Sequence, residues 1–154
     1  MRVSGVTRPL LLGVATGCRA SLGLAGVSYG DRLRGEPRLV GAVQTRAGRV
    51  VTGALVLGEL VGDKLPSAPS RLAMQALIPR LVLGATGGAA LARRDGRSRP
   101  AAALAGLAGA AVGSVAGLRY RQAAKQRGLP DLPVALAEDA LALALARRAG
   151  RARR

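Results

Sequence analysis

Between Arg99 and Arg119 the chain carries no charge, and the run AAALAGLAGAAVGSVAGL fills most of that interval. About 18 consecutive uncharged apolar residues are enough for a helix to cross a bilayer, so this run sets the first constraint on the fold. Four further apolar stretches flank it, giving segments at about 9–30, 50–65, 72–92, 100–118 and 133–146 with a charged, Gly- and Pro-containing linker at 31–49. That linker has room for a short surface helix. Pro66 and Pro69 break the chain after the second segment, with Ser70 placed to cap the third. Gly128, Pro130 and Pro133 break it again before the fifth, with Asp131 a candidate cap. The expected architecture is all-α: a multi-pass transmembrane bundle of about five short helices forming a single membrane-embedded domain over residues 1–154. The second and fifth segments are short, so their depth in the bilayer stays open.

Composition agrees with lipid better than with water. Hydrophobic residues make up 49% of the 154, yet Phe and Trp are absent and the aromatics are Tyr29 and Tyr120, which leaves Ala, Leu, Val and Gly to supply the apolar surface. A soluble core of this size would use larger side chains. Helices in lipid associate through close backbone approach, for which small residues are suited.

The formal net charge of +16 raises the question of a nucleic-acid partner. Its placement argues against one. Arginine clusters between apolar stretches, as it does in loops bordering anionic lipid headgroups, and two isolated tyrosines make no platform to stack on bases. The partners expected are therefore the bilayer and its anionic headgroups, together with a homo-oligomer or a membrane-protein partner. Histidine is absent and Cys18 is the single cysteine, so no internal disulfide, cysteine-built zinc site or serine–histidine constellation can form, and no cofactor or metal is expected. Arg2 and Arg8 ahead of an apolar run, with Ala15-Thr16-Gly17-Cys18, partly match a lipoprotein cleavage box. The usual Leu three residues before the cysteine is missing and more apolar sequence follows Arg19, so a retained helix is the better reading.

Charged residues inside apolar segments carry the functional argument. Arg19, Glu59, Asp63, Lys64, Arg80, Glu138 and Asp139 all fall there, and leaving seven charges in lipid would cost about 20 kcal/mol on insertion scales. They must pair, snorkel or line a wet cavity. Arg19 is followed by Gly23 and Gly26, and Arg80 by Gly84 and Gly87, so each arginine shares a helix stripe with glycines and should face into the bundle. Asp139 shares its stripe with Ala135, Ala142 and Ala146. Gly13, Gly17, Gly109, Gly113 and Gly117 complete the expected helix-packing set. A blander reading sends Asp63 and Lys64 to the headgroups and puts Glu138 and Asp139 in the first turns of an interfacial helix.

Residues 13–19 and 113–119 share the pattern G-x-x-x-G-x-R, and each is followed by a segment bearing paired acids. With five crossings, an inverted repeat would relate segments one and two to segments four and five. The stretches GCRASLGLA, GELVGDKLPSAPSR and LPDLPVALAEDALALAL together resemble bacterial integral membrane proteins grouped as the domain of unknown function 4126 family. The likeness covers about Pro9 to Arg147. It implies a multi-pass membrane location and no particular activity.

Two functions are expected to compete: a small transporter or channel-like protein with a buried Arg/Glu/Asp network, and a non-catalytic membrane scaffold or assembly partner. An embedded enzyme ranks third, since no constellation supports a given reaction. For five spans, eight Lys and Arg residues lie on the N-terminal side and fourteen on the other, which places the C-terminus in the cytoplasm and the N-terminus outside. Carbonate extraction of expressed membranes should leave the protein in the pellet; recovery in the supernatant without detergent would refute the membrane assignment.

Overall fold

The computed structural model describes residues 4–29, 38–62 and 74–151. Among these residues there are seven α-helices and no strand: α1 Ser4–Cys18, α2 Ala20–Ser28, α3 Arg38–Val43, α4 Arg46–Gly62, α5 Met74–Arg94, α6 Arg99–Gln126 and α7 Asp131–Gly150. The all-α class stands. The first apolar segment is not one helix. Arg19 adopts an extended backbone (φ −145°, ψ 119°) between α1 and α2, and the chain doubles back there. Gly23 then lies against the Thr16 side chain and Gly26 against Leu12, pairs that would be about 10 and about 21 Å apart along a continuous helix. Leu22 N donates to Arg19 O at 3.1 Å, closing the reversal.

This hairpin changes every direction that follows it. At the foot of α2, Tyr29 Oη donates to Arg49 O at 2.9 Å and Ser28 Oγ bonds Thr52 Oγ1 at 3.1 Å, so α4 starts beside the end of α2 and runs back up along it. α5 returns, α6 runs parallel to α1, and α7 runs antiparallel to both, bringing Arg8 Nε of α1 within 2.8 Å of Ala149 O of α7. The ends of α1 and α7 therefore lie at one end of the bundle. Five crossings required them at opposite ends, so the expected orientation, with N- and C-termini on different sides, is corrected. The inverted repeat is corrected as well: its two copies lie on parallel helices, with Arg19 at a reversal and Arg119 exposed within an unbroken α6.

Sequence and structure agree more closely on the other segments. The linker does hold a short helix, α3. α4 begins before the expected segment and α6 continues two turns beyond it. Asp131 is not the cap expected of it: Pro130 holds that position without a side-chain cap bond, and Asp131 sits in the first turn of α7, where a carboxylate favours the helix dipole. Gly96 and Gly128 have positive φ (61° and 68°) after α5 and α6. Each closes a Schellman turn, through Arg97 N to Ala92 O at 2.8 Å and Leu129 N to Ala124 O at 3.1 Å, a backbone that a Cβ would strain. The Ser70 cap lies outside the described residues.

Glycine holds the centre together. Gly13 and Gly17 of α1 face Gly106 and Ala110 of α6, while Gly109 and Gly113 face the carbonyls of Leu10 and Val14, each so closely that a Cβ would strike backbone. Gly106 meets α5 in the same way, and a Cβ on Gly84 would come within 2.6 Å of Gly106 O. Three helix backbones thus meet along one seam, the mode by which helices pack in lipid. Gly106 and Gly88 belong to this seam without having been singled out in the sequence. Gly23, Gly26 and Gly87 pack on side chains of Thr16 and Leu12, and Gly117 is buried on the same helix stripe as Gly113.

Large apolar side chains are exposed on the outer faces of several helices while charged ones are buried. Val50 on α4 is 66% exposed, Leu104 on α6 67% and Leu141 on α7 61%, while Arg19 is 1% exposed and Glu138 5%. Even so, α6 is the one described helix that is long and apolar enough to cross a membrane by length and composition. α1 has 15 residues and α4 has 17, too short for a full crossing, and α5 carries Arg80 and Arg93. Multiple crossings therefore do not follow from helix length and composition.

The seam makes a direct prediction. Gly13→Ala or Gly109→Ala forces helices apart and should lower stability in detergent by about 1–3 kcal/mol. Gly58→Ala, on α4 with nothing within 4 Å of its Cβ position, should leave the thermal midpoint unchanged or raise it through helix propensity. Equal loss in all three variants would contradict the packing described.

Candidate functional site

The reversal at Arg19 drives a guanidinium into the bundle where α1, α2, α6 and α7 converge. Cys18, the last residue of α1, is buried, and Ser114 Oγ of α6 donates to Gly17 O at 3.2 Å and to Ala110 O at 2.9 Å. Gly17 O, at the end of α1, thus gains a partner from a neighbouring helix. Arg19 Nε donates to Asp139 Oδ1 in a close ion pair, with the two side chains 1% and 13% exposed. One turn of α7 positions both acids: Asp139 faces the hairpin, and Glu138 accepts from Arg121 Nε of α6 at 2.9 Å with side chains 4% and 18% exposed. Adjacent acids on α7 therefore bind arginines from two different helices.

This arrangement sorts the expected network. Arg19 pairs with Asp139, with Ala135, Ala142 and Ala146 buried on α7, while Glu138 pairs with Arg121 and not with either expected arginine, and the extended Arg19 does not share a helix stripe with Gly23 and Gly26. Both acids lie about two turns into α7, their side chains 4% and 13% exposed. Arg80 is buried on α5 at 5% exposure. Glu59 lies near the end of α4, its side chain outside the described residues, and Asp63 and Lys64 fall outside them entirely.

Arg121 was missed because it follows the apolar run and reads as a linker residue. A signal for it was present: Gly109, Gly113 and Gly117 repeat every four residues and the next member of that stripe is Arg121. α6 continues as a helix past Leu118 and carries the stripe into contact with α7.

A second polar cluster, at the other end of the bundle, was read only as basic loops. Val27 O accepts from Gln44 Nε2 at 3.1 Å and from Arg94 Nη2 at 2.9 Å, and Ser28 O accepts from Arg49 Nε at 3.1 Å. Cations and donors at the C-terminus of α2 offset its negative dipole end and satisfy its last carbonyls. Arg8 Nη1 also binds both carboxylate oxygens of Asp95 at 2.7 and 2.8 Å, tying α1 to the turn after α5. These contacts close the hairpin's open end.

No family model, curated protein or solved structure matches the chain, so the site is interpreted from its own geometry.

Breaking a buried ion pair by removing one partner typically costs about 3–5 kcal/mol, because the other charge is left in a low-dielectric interior. Arg19→Leu should therefore lower thermal stability in detergent sharply, and adding Asp139→Asn should restore part of the loss while adding Glu138→Gln should not. The mirror result is expected for Arg121→Leu, rescued by Glu138→Gln alone. Strictly additive effects in the matched pairs would show that the two ion pairs contribute no coupling.

Proposed function

We propose that this chain is an integral membrane protein in which α1 and α2 enter as a re-entrant hairpin and α4 to α7 form the surrounding helices, and that it acts as a small transporter or channel-like protein. The observation that carries the proposal is Arg19: a charged residue at a helix break, buried in a bundle whose outer face is Val and Leu. Non-helical backbone at membrane depth is tolerated where protein buries it or where it lines a cavity, and broken helices with buried ion pairs mark substrate and ion paths in transporters.

Charge placement supports one orientation. Arg8, Arg46, Arg49, Arg93, Arg94, Arg97, Arg99, Arg147, Arg148 and Arg151 belong to the end that holds both termini of the bundle, against Arg119, Arg121, Lys125 and Arg127 at the other. Basic residues collect on the cytoplasmic side, so both termini are assigned to the cytoplasm.

A scaffold role is the second reading, favoured by the closed Arg19–Asp139 and Arg121–Glu138 pairs, which fix helix register without needing to move a solute. Proteoliposome flux separates the two. Purified protein should dissipate an imposed proton, potassium or chloride gradient faster than protein-free vesicles, and Asp139→Asn, if it remains folded, should change that rate about tenfold or more. Folded protein that leaves all three gradients intact would reject the conduit and leave the scaffold. Reporters fused to either terminus should both be active inside the cell; opposite sides would reject the hairpin topology.

A further inference from the structure

An open groove of 590 Å³ runs between α2, α4 and α7, within the range of about 300–1,000 Å³ usual for small-molecule sites. Its polarity changes along its length. Gly26 and Gly53 leave room at its floor, Leu22, Val56 and Leu143 form its inner walls, and Arg147 and Arg151 stand at its mouth beside Tyr29. Along α7, Leu143 and Arg151 are eight positions apart, so the apolar and cationic ends are separated by about 12 Å. Arg46 and Arg49 line an adjoining cleft that shares Tyr29, extending the cationic rim. The mouth lies at the arginine-rich end of the bundle, where headgroups would meet it, and the apolar end points toward mid-bilayer.

We propose that this groove holds one anionic phospholipid of the surrounding bilayer, its phosphate at Arg147 and Arg151 and the upper part of an acyl chain along Gly53 and Val56. The assignment rests on the membrane reading above. Charge complementarity selects the occupant: guanidinium forks recognise phosphate oxygens in two-point contacts, and the apolar floor offers nothing to a soluble anion. A zwitterionic lipid carries its own ammonium to the rim and gains less there. Gly53 keeps the floor open, since the nearest atom to a Cβ built on it is Tyr29 Oη at 3.4 Å.

The test is lipid binding to the full chain, delipidated in neutral detergent and titrated with phosphatidylglycerol or phosphatidylcholine, the bound molecules being counted by native mass spectrometry. One phosphatidylglycerol should bind at least about tenfold more tightly than phosphatidylcholine, a difference that two matched guanidinium contacts can supply. Arg147→Gln with Arg151→Gln should remove that preference. Gly53→Leu, which fills the groove, should weaken both lipids while leaving the thermal midpoint of the lipid-free protein unchanged, and Arg119→Gln at the opposite end should do neither. Equal binding of the two lipids, or a preference unchanged in either groove variant, would overturn the assignment. Carbonate extraction reads the membrane assignment separately: pelleted protein without lipid preference rejects the groove alone, whereas soluble protein rejects the location on which it rests.

Discussion

The ion pair between Arg19 and Asp139 governs the rest of the structure because it sits where the chain turns back. An arginine buried at the end of a helix needs a counter-charge, and α7 supplies it only by running antiparallel to α1 over most of its length. That placement brings Glu138 round to α6 and Arg121. It also sends α2 down beside α1, so its C-terminal carbonyls emerge among Gln44, Arg49 and Arg94. One reversal therefore sets the polarity of both ends, with mixed ion pairs near the turn and arginine-rich capping at the open end.

Glycine makes this arrangement compact. Where α1, α5 and α6 meet, backbone touches backbone through Gly13, Gly84, Gly106 and Gly109, leaving little space for side chains. The large apolar residues are displaced outward as a result, to Val50, Leu104 and Leu141 among others. In water such a surface would associate. In lipid it is the solvated face, and dispersion between closely packed backbones replaces the hydrophobic effect as the force between helices. The same geometry divides the apolar residues among short helices: α1 and α2 share one apolar stretch, and α7 carries the charges that the interior pairs.

Much of the site was legible because helical spacing is a strong constraint on which residues share a face. Asp139 with Ala135, Ala142 and Ala146 could be assigned to an interior face from position alone, whereas the stripe that joined Arg19 to Gly23 and Gly26 needed a continuous helix and fails at the extended Arg19. Arg121 escaped because hydropathy ends a segment at the first charge, while a helix ends only where its backbone hydrogen bonds do. The basic residues that cap α2 escaped for a related reason. A donor at a helix end is chosen by where another helix stops, and Arg94 is 67 positions from the carbonyl it binds.

The sequence by itself determined that the chain is helical, that its interior is built of small residues, and that charges within apolar stretches must find partners. These follow from composition, from the 3.6-residue period and from the cost of burying charge, all of which are local or additive. The course of the chain, the end of the bundle at which each helix finishes and the pairing of particular charges were decided only in the tertiary structure. A single residue in an extended conformation reverses the chain at Arg19, and such a conformation is open to any amino acid. The apolar residues on either side of it read as one continuous span, because hydropathy records how much of a segment avoids water and not the direction in which it runs.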